Sequence, residues 1–240
     1  MNSVGLDNLD GMLLVLDNIH AGYANKQVLR GVSLSINRGE IVGLLGGNGS
    51  GKSTTLKIVG GLLSPTTGRV LLNGTDISSE EPHARQKMGI GYLMQGGRVF
   101  PNLSVAENFS IAAGHGANHD ASAQPKLGAF FPSLAQRASI QAGLLSGGQR
   151  QMLAIELLLA QRPKLMLLDE PTGALSHDLA RAILDIITDF SRRTGCGVLL
   201  VEQNAEEARR VARRTLILSS GVLSETQPVE SINPPEKAIK

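Results

Sequence analysis

The stretch GGNGSGKS, residues 46–53, constrains the fold of this 240-residue chain more than any other feature. It matches the pattern G-x-x-x-x-G-K-[ST], in which glycines let backbone N–H groups turn inward around phosphate oxygens. It follows the apolar run IVGLL, residues 41–45, and opens a helical stretch from Lys52 to Gly60. A strand, a glycine-rich loop and a helix in this order predict a phosphate-binding site at the end of a buried strand.

The residue types in this loop indicate how a nucleotide would be held. Lys52 is expected to reach the β- and γ-phosphates, and the Ser53 hydroxyl is expected to bind Mg²⁺. The residues expected to contact the nucleotide are Gly46, Gly47, Asn48, Gly49, Ser50, Gly51, Lys52, Ser53 and Thr54.

A second apolar run, LMLLDEP at residues 165–171, ends in two carboxylates. Asp169 is expected to hold Mg²⁺ directly or through water. Glu170 is placed one step further and is expected to orient and deprotonate an attacking water, which contributes roughly 10²–10⁴-fold to a rate. Together with the phosphate loop, the pair predicts hydrolysis of a nucleoside triphosphate.

Buried strands alternate with helical stretches along the chain, which predicts an α/β core with a parallel sheet. Residues 12–21 and 28–36 alternate apolar and polar side chains and predict half-buried antiparallel strands. Residues 96–160 indicate a mostly helical insert, residues 205–214 indicate a helix, and residues 216–226 indicate a terminal hairpin.

Composition limits the class of partner. The net charge of +2 is small for a DNA-binding surface, and aromatic residues, at 3%, offer few platforms for single-stranded nucleic acid. The longest apolar runs are far shorter than the roughly 20 residues of a membrane span, and the N-terminus lacks the features of a signal peptide. We therefore expect a cytoplasmic protein without a nucleic-acid partner.

LLSGGQRQ, residues 144–151, completes a set of motifs. With the phosphate loop and the LLDEP stretch it resembles the ATP-binding subunit of ATP-binding-cassette (ABC) transporters, over residues 12 to about 225. The resemblance implies an α/β ABC ATPase fold that binds ATP and Mg²⁺: a RecA-like P-loop NTPase core, an antiparallel β subdomain and an inserted helical subdomain. In this family LSGGQ closes over ATP held by the opposite subunit. That role falls here on Ser146, Gly147, Gly148 and Gln149.

Three further positions match elements of the family. Tyr23 matches the aromatic residue that stacks on adenine, and Gln95 matches the glutamine that contacts Mg²⁺ and water. Gln203 stands where most cassettes place a histidine that hydrogen-bonds the γ-phosphate, so it resembles a substituted switch residue. The resemblance thus assigns catalysis to Glu170, Gln203 and Gln95, and the metal to Ser53, Gln95 and Asp169.

The resemblance also implies how the chain is divided. Residues 1–240 are expected to form a single nucleotide-binding domain. Its core with the β subdomain would comprise residues 10–95 and 161–226, its helical subdomain residues 96–160, and its C-terminal tail residues 227–240. The stretch QGGRVFPNLSVAEN, from Gln95 to Asn108, resembles the surface that faces the membrane subunit, although Phe100, Pro101 and Leu103 fit a local core equally well.

The finer resemblance is to importers of branched-chain amino acids and their urea and short-chain amide relatives. The sequence VEQN at residues 201–204 discriminates best, because one nucleotide-binding subunit of that branch commonly carries Glu-Gln-Asn. The implied partners are transmembrane permease subunits, a second ATP-binding subunit in a homo- or heterodimer and, indirectly, an extracytoplasmic binding protein. The chain would then sit on the cytoplasmic face of the membrane.

Other interpretations remain open at this point. HARQKMGIGYL, residues 83–93, also resembles lipopolysaccharide-export ATPases, although that branch normally keeps the histidine. A cassette acting on DNA or ribosomes would carry coiled coils or two tandem cassettes, and a regulatory module would bind ATP without turnover. In PTGALSHD, residues 171–178, Ser176 stands where the family has Asp, which puts cross-talk between the two sites in doubt.

Two groups of residues are expected to be structural. Glu202 is expected to end a strand and Asn204 to cap the next helix. The arginines of the following helix are expected to form a solvated face, with contact to an acidic partner surface as the alternative, and they are Arg209, Arg210, Arg213 and Arg214.

Overall fold

The computed structural model describes residues 11–24, 26–114, 125–173 and 175–225. These residues form two β-sheets and the helices that cover them. The strands are β1 (Met12–Tyr23), β2 (Lys26–Asn37), β3 (Ile41–Leu45), β4 (Thr67–Leu72), β5 (Thr75–Asp76), β6 (Ile90–Leu93), β7 (Leu165–Asp169), β8 (Gly197–Val201), β9 (Arg214–Ser219) and β10 (Val222–Glu225). The helices are α1 (Lys52–Val59), α2 (Pro82–Lys87), α3 (Val105–Gly114), α4 (Pro132–Ala135), α5 (Gly147–Ala160), α6 (His177–Thr194) and α7 (Ala205–Val211), with a 3₁₀ turn at Ala142–Leu144.

The larger sheet has the strand order β10-β9-β3-β8-β7-β6, and all of its neighbours except β9 and β10 pair in parallel. β3, β7 and β8 are buried along their whole length, as expected for strands covered on both faces. Their carboxyl ends meet at one edge, which gathers the residues that follow Leu45, Leu168 and Val201. The predicted terminal hairpin is confirmed in β9 and β10.

The smaller sheet is antiparallel, in the order β2-β1-β4-β5. The two antiparallel strands predicted at residues 12–21 and 28–36 are confirmed and pair with each other as β1 and β2. β4 and β5 are joined by Asn73 and Gly74, with φ of 49° and 78°. Positive φ at both positions is typical of the type I′ turn, which Asn-Gly favours.

Two apolar cores cover the two faces of the parallel sheet. The first core joins both sheets to α1 and includes Leu16, Leu56 and Leu167. The second core lies under α5 and α6 and includes Ile155 and Leu168. The neighbours Leu167 and Leu168 point into different cores because successive side chains of a strand face opposite sides.

The described part of the insert between β6 and β7 combines helices with irregular chain. It holds α3, α4, α5 and the 3₁₀ turn, joined by irregular chain, and residues 115–124 lie outside the described part. Glu156 of α5 has no exposed surface, and its carboxylate accepts hydrogen bonds from the N–H groups of Gly128 (2.9 Å) and Phe131 (3.0 Å). Burial raises the pKa of this carboxyl. One side chain thus ties the irregular chain to α5.

The prediction for residues 205–214 is wrong at its end. The helix ends at Val211, and Arg214 begins β9, where its Nε lies 2.8 Å from Oε1 of the buried Glu40. Arg210 is also paired, with Nη1 2.6 Å from Asp185 Oδ1. Arg214 therefore does not belong to the predicted helix face, whereas Arg210 stays exposed on α7 and pairs there with Asp185. The ion pair with Glu40 overrides the local helical pattern at Arg214.

Two other expectations from the sequence concern a membrane span and the C-terminal tail. Among the described residues, no helix is both long and apolar enough to cross a membrane. The predicted tail, residues 227–240, lies outside the described residues.

Candidate functional site

The phosphate loop follows β3 and leads into α1 as predicted. Gly46, Gly49 and Gly51 have φ of 152°, 76° and 112°, values that residues with a side chain rarely adopt. A Cβ on Gly46 would collide with the carbonyl oxygen of Leu218, and one on Gly51 would lie 2.7 Å from Leu29 Cδ2. The loop is therefore wedged against neighbouring chain, and glycine is required at both positions.

Unpaired polar groups converge in this loop. In the described chain, the N–H groups of Gly47, Asn48 and Gly49 donate to no protein acceptor. The Ser50 hydroxyl is buried and has no hydrogen-bond partner there either. Lys52 Nζ donates to the carbonyl oxygens of Gly46 (2.8 Å) and Gly47 (3.1 Å), which holds its positive charge over the loop. Donors without acceptors, next to a cation and a helix N-terminus, suit the phosphates of a nucleotide.

A hydroxyl and a carboxylate stand together beside the loop. Ser53 Oγ donates to Asp169 Oδ1 at 3.2 Å, although 116 residues separate the two along the chain. Asp169 is buried, and that burial raises its pKa, while the Ser53 bond and nearby Lys52 oppose the shift. Oxygen donors of this kind are the ligands that Mg²⁺ prefers, and a cation between them would favour the ionised carboxylate. The residues present fit the predicted metal.

The three residues predicted for catalysis form one hydrogen-bonded group, with Glu170 at its centre. Gln95 Nε2 donates to its Oε2, and Gln203 Nε2 donates to its Oε1, each at 2.8 Å. The N–H of Glu170 donates to the carbonyl oxygen of Val201 at 2.9 Å. Its φ is 52°, in the left-handed region that is uncommon for residues other than glycine. Both amides therefore aim one carboxylate, which projects from a strained backbone.

The family resemblance predicts that Gln203 faces a γ-phosphate, whereas its amide nitrogen here donates to Glu170. The Asn204 cap predicted from the sequence is confirmed, because its Oδ1 accepts from the N–H groups of Glu206 (3.0 Å) and Glu207 (3.3 Å). The cap fixes the start of α7 at Ala205, two residues after Gln203. Gln203 therefore lies in the short connection between β8 and α7.

Glu202 is more than the end of a strand. It is only 3% exposed, and its Oε1 accepts from both the N–H (3.1 Å) and the hydroxyl (2.7 Å) of Thr172. Burial raises the pKa of Glu202. The sequence offered one signal for this role, an acidic residue placed directly after four apolar ones and beside Gln203.

Gln151 is a second residue that the sequence analysis did not single out. It lies on α5, is 6% exposed, and its Nε2 donates to the carbonyl oxygen of Pro171 at 2.7 Å. Its amide oxygen packs so closely on Gly97 that a Cβ there would collide with it. Gln151, Glu170 and Glu202 line one cavity of about 600 Å³.

Tyr23 ends β1 and is 45% exposed. Lys57 of α1 lies over its ring, with Nζ 5.6 Å from the ring centroid, and donates to its hydroxyl at 3.4 Å. These contacts join the ring to the helix that begins with the phosphate loop. An exposed ring in that place is compatible with stacking on a base.

The LSGGQ residues lie at the start of α5. Ser146 Oγ accepts from the Gln149 N–H (3.3 Å), and Gln149 Oε1 accepts from the Ser146 N–H (3.0 Å), which makes a capping box. A Cβ on Gly147 would meet nothing within 4 Å. In the described chain no hydrogen bond joins these residues to the phosphate loop, so the structure does not unite the two motifs within one chain.

The segment after Gln95 borders an apolar groove of about 440 Å³. Phe100 lines it and is 57% exposed, so it does not belong to the local core. The buried Asn108 holds this segment, because its Oδ1 accepts from the Phe100 N–H at 2.9 Å and its Nδ2 donates to the Phe100 carbonyl at 3.0 Å.

Ser176 stands at the N-terminus of α6 and makes no side-chain cap there. The next residue, His177, has Nδ1 3.2 Å from Oε1 of the buried Glu207. This contact joins the start of α6 to α7. The loop that departs from the family pattern is thus linked to the helix that follows Gln203.

Comparison with known proteins agrees with this geometry. A sequence model described as "ABC transporter" matches residues 29–173, more than half of the chain. The probable branched-chain amino acid transport ATP-binding protein LivF of Archaeoglobus fulgidus is 40% identical over 206 residues, which cover 85% of this chain and 86% of LivF. The high-affinity branched-chain amino acid transport ATP-binding protein BraG of Pseudomonas aeruginosa is 36% identical, with 92% and 96% covered.

An exporter component and a solved structure are also similar. The lipopolysaccharide export system ATP-binding protein LptB of Haemophilus influenzae is 36% identical, with 92% of each chain covered. A dimeric ATP-binding cassette in a post-hydrolysis state, bound to ADP and Pi, superposes with a TM-score of 0.76 at 26% identity. That superposition covers 89% of this chain and 98% of the cassette. The chain therefore belongs to the ABC transporter family, as an ATP-binding subunit with the ABC ATPase fold.

Proposed function

We propose that this chain binds and hydrolyses ATP to drive import of branched-chain or other hydrophobic amino acids, or of urea or short amides. The observation that carries hydrolysis is the Glu170 carboxylate, held by two amides beside the Ser53–Asp169 pair. The substrate class is supported by the similarity to LivF and BraG and by the sequence VEQN.

The proposed roles follow from the positions of the side chains. The phosphate loop and Lys52 bind the phosphates, while Ser53 and Asp169, with Gln95 nearby, would hold Mg²⁺, which supplies charge neutralisation at the phosphates. Glu170 accepts the proton of the attacking water, and Gln95 and Gln203 fix the direction of its two oxygens. Tyr23 offers its exposed ring to the adenine.

The residues Ser146, Gly147, Gly148 and Gln149 would complete the nucleotide site of a second subunit. In the described chain they make no hydrogen bond to their own phosphate loop. The backbone N–H groups at the start of α5 present positive potential to an anion. We infer that two ATP-binding subunits close head to tail over two ATP molecules, with permease subunits bound on the membrane side and an extracytoplasmic binding protein acting through them.

The second candidate is an ATPase for lipopolysaccharide export, which the similarity to LptB favours. A tagged chain purified with its membrane proteins distinguishes the two. Two dissimilar permeases and a second ATPase would support import. A single pair of export permeases would favour the alternative, and ribosomal or DNA-repair proteins would contradict both.

The catalytic part is tested on the purified complex, with Glu170→Gln compared to wild type. The substitution preserves size and removes the base, so ATP turnover should fall by roughly 10²-fold or more. ATP affinity should persist because Lys52 and the loop are intact. Turnover equal to wild type would contradict the role of Glu170.

A further inference from the structure

The backbone that carries Glu170 is held in a conformation that needs external support. Its φ of 52° lies in the left-handed region, which residues with a Cβ adopt only when surrounding contacts over-determine it. Two backbone bonds contribute, one from its N–H to Val201 and one to its carbonyl from the N–H of Gly173 (3.1 Å). These bonds anchor the ends of the segment 170–173, called here the Glu170 loop.

The middle of the Glu170 loop is held by two side chains from different elements. Gln151 of α5 donates to the carbonyl oxygen of Pro171 at 2.7 Å. Glu202, which follows β8, accepts from the N–H and hydroxyl of Thr172. Gln151, Glu202 and Thr172 are each at most 9% exposed, so water competes little for these bonds.

We propose that Glu202 and Gln151 are positioning residues for ATP hydrolysis, which set the Glu170 carboxylate by clamping the Glu170 loop from two sides. This inference rests on the proposed role of Glu170 as the base. Neither residue is hydrogen-bonded to Glu170 in the described chain, so each acts through the backbone next to it.

The two clamping side chains connect the Glu170 loop to two different elements, α5 and the segment that follows β8. Gln151 belongs to the helix whose first turn carries the LSGGQ residues, so a displacement of that helix acts on Pro171 directly. Glu202 adjoins Gln203, so the segment that aims the carboxylate also holds the loop that bears it. A small error in placing a catalytic group lowers the rate while leaving substrate binding intact.

The experiment uses the full-length chain, purified with the membrane proteins that accompany it. Thr172→Val removes the hydroxyl that donates to Glu202 at almost constant volume, and Thr172→Ser restores it. Gln151→Leu removes the bond to Pro171. Thr188→Val is the matched control, because in the part of the chain that the structure describes that hydroxyl donates to the Leu184 carbonyl of its own helix and to no other acceptor.

We expect Thr172→Val and Gln151→Leu each to lower kcat roughly tenfold to a hundredfold. KM and the affinity for a fluorescent ATP analogue should stay within about threefold, since the phosphate loop is untouched. Thr172→Ser should recover most of kcat, and Thr188→Val should behave as wild type. Thermal unfolding with and without ATP identifies any variant that fails to fold. Thr172→Ala then replaces Thr172→Val, or Gln151→Met replaces Gln151→Leu, because each removes the same side-chain bond.

Three outcomes overturn the inference. One is wild-type kcat in both Thr172→Val and Gln151→Leu while Glu170→Gln is inactive, which leaves the proposed function standing. Another is a loss of ATP affinity and thermal stability in proportion to kcat, since that pattern marks a general structural role. The third is wild-type turnover in Glu170→Gln, which removes the proposed function as well.

Discussion

Substitution of Gln203 by Leu tests whether its amide aims the Glu170 carboxylate, the proposed catalytic base. The change keeps the approximate size of the side chain and removes the N–H that donates to Glu170 Oε1 at 2.8 Å. The second amide bond, from Gln95 to Oε2, remains. The carboxylate should then rotate about the one bond that still holds it.

The magnitude follows from the type of bond and from its exposure. Hydrogen bonds to charged groups contribute about 1.5–3 kcal/mol when shielded from water. Gln203 is exposed and Glu170 is half-buried, so we take about 1–2 kcal/mol. Each 1.36 kcal/mol is a factor of ten, which gives a fall in kcat of roughly 5–30-fold.

The assay is steady-state ATP hydrolysis by the purified complex across ATP concentrations at saturating Mg²⁺. The fall should appear in kcat, with KM within about threefold, because no phosphate-loop contact changes. Gln203→His restores an N–H donor with the option of a charged bond, so it should turn over at least as fast as wild type. A Gln203→Leu enzyme with wild-type kcat would refute the aiming role.

Three other perturbations give independent checks. Lys52→Ala should weaken ATP binding by at least about tenfold, because a charge-assisted contact to the phosphates is lost. Titration with a fluorescent ATP analogue measures this affinity, and an unchanged affinity would contradict the placement of phosphates at the loop. Arg214→Met leaves buried Glu40 without its cation and should lower the unfolding free energy by about 3 kcal/mol in urea denaturation; a loss below about 0.5 kcal/mol would show that the pair is not stabilising. Burial raises the pKa of Glu156 above its ordinary value of 4.5, so the folded state binds the proton more tightly. The unfolding free energy of wild type minus that of Glu156→Gln should therefore fall as the pH rises from 4.5 through the folded-state pKa, and a difference that rises with pH would contradict the direction of the shift.

The parts of the fold predicted correctly are those that short stretches of sequence determine. The phosphate loop needs glycines at positions where a Cβ would collide with neighbouring chain, and the pattern reports those positions directly. All-apolar runs locate β3, β7 and β8, because a strand covered on both faces has no polar side to show.

The errors fall where distant residues decide. Arg214 fits a helical pattern by its neighbours, yet Glu40, 174 residues away, pairs with it at the start of β9. The roles of Glu202 and Gln151 depend on a loop that comes 30 and 20 residues away in sequence, and no spacing rule links them to it. The family resemblance supplied Gln203 but could not say that its amide turns to Glu170.

The capping box at the start of α5 changes how genetic lesions in the LSGGQ sequence should be read. The Gln149 side chain is already occupied in holding the Ser146 N–H, and Ser146 returns the contact. An Ala at either position therefore frays a helix terminus as well as removing the proposed ATP contact, so its phenotype reports two defects at once. Gln149→Glu keeps the reciprocal pattern of the box and alters only the charge at the surface proposed to face a second subunit. An allelic series built on that exchange would separate a folding lesion from a nucleotide-binding lesion.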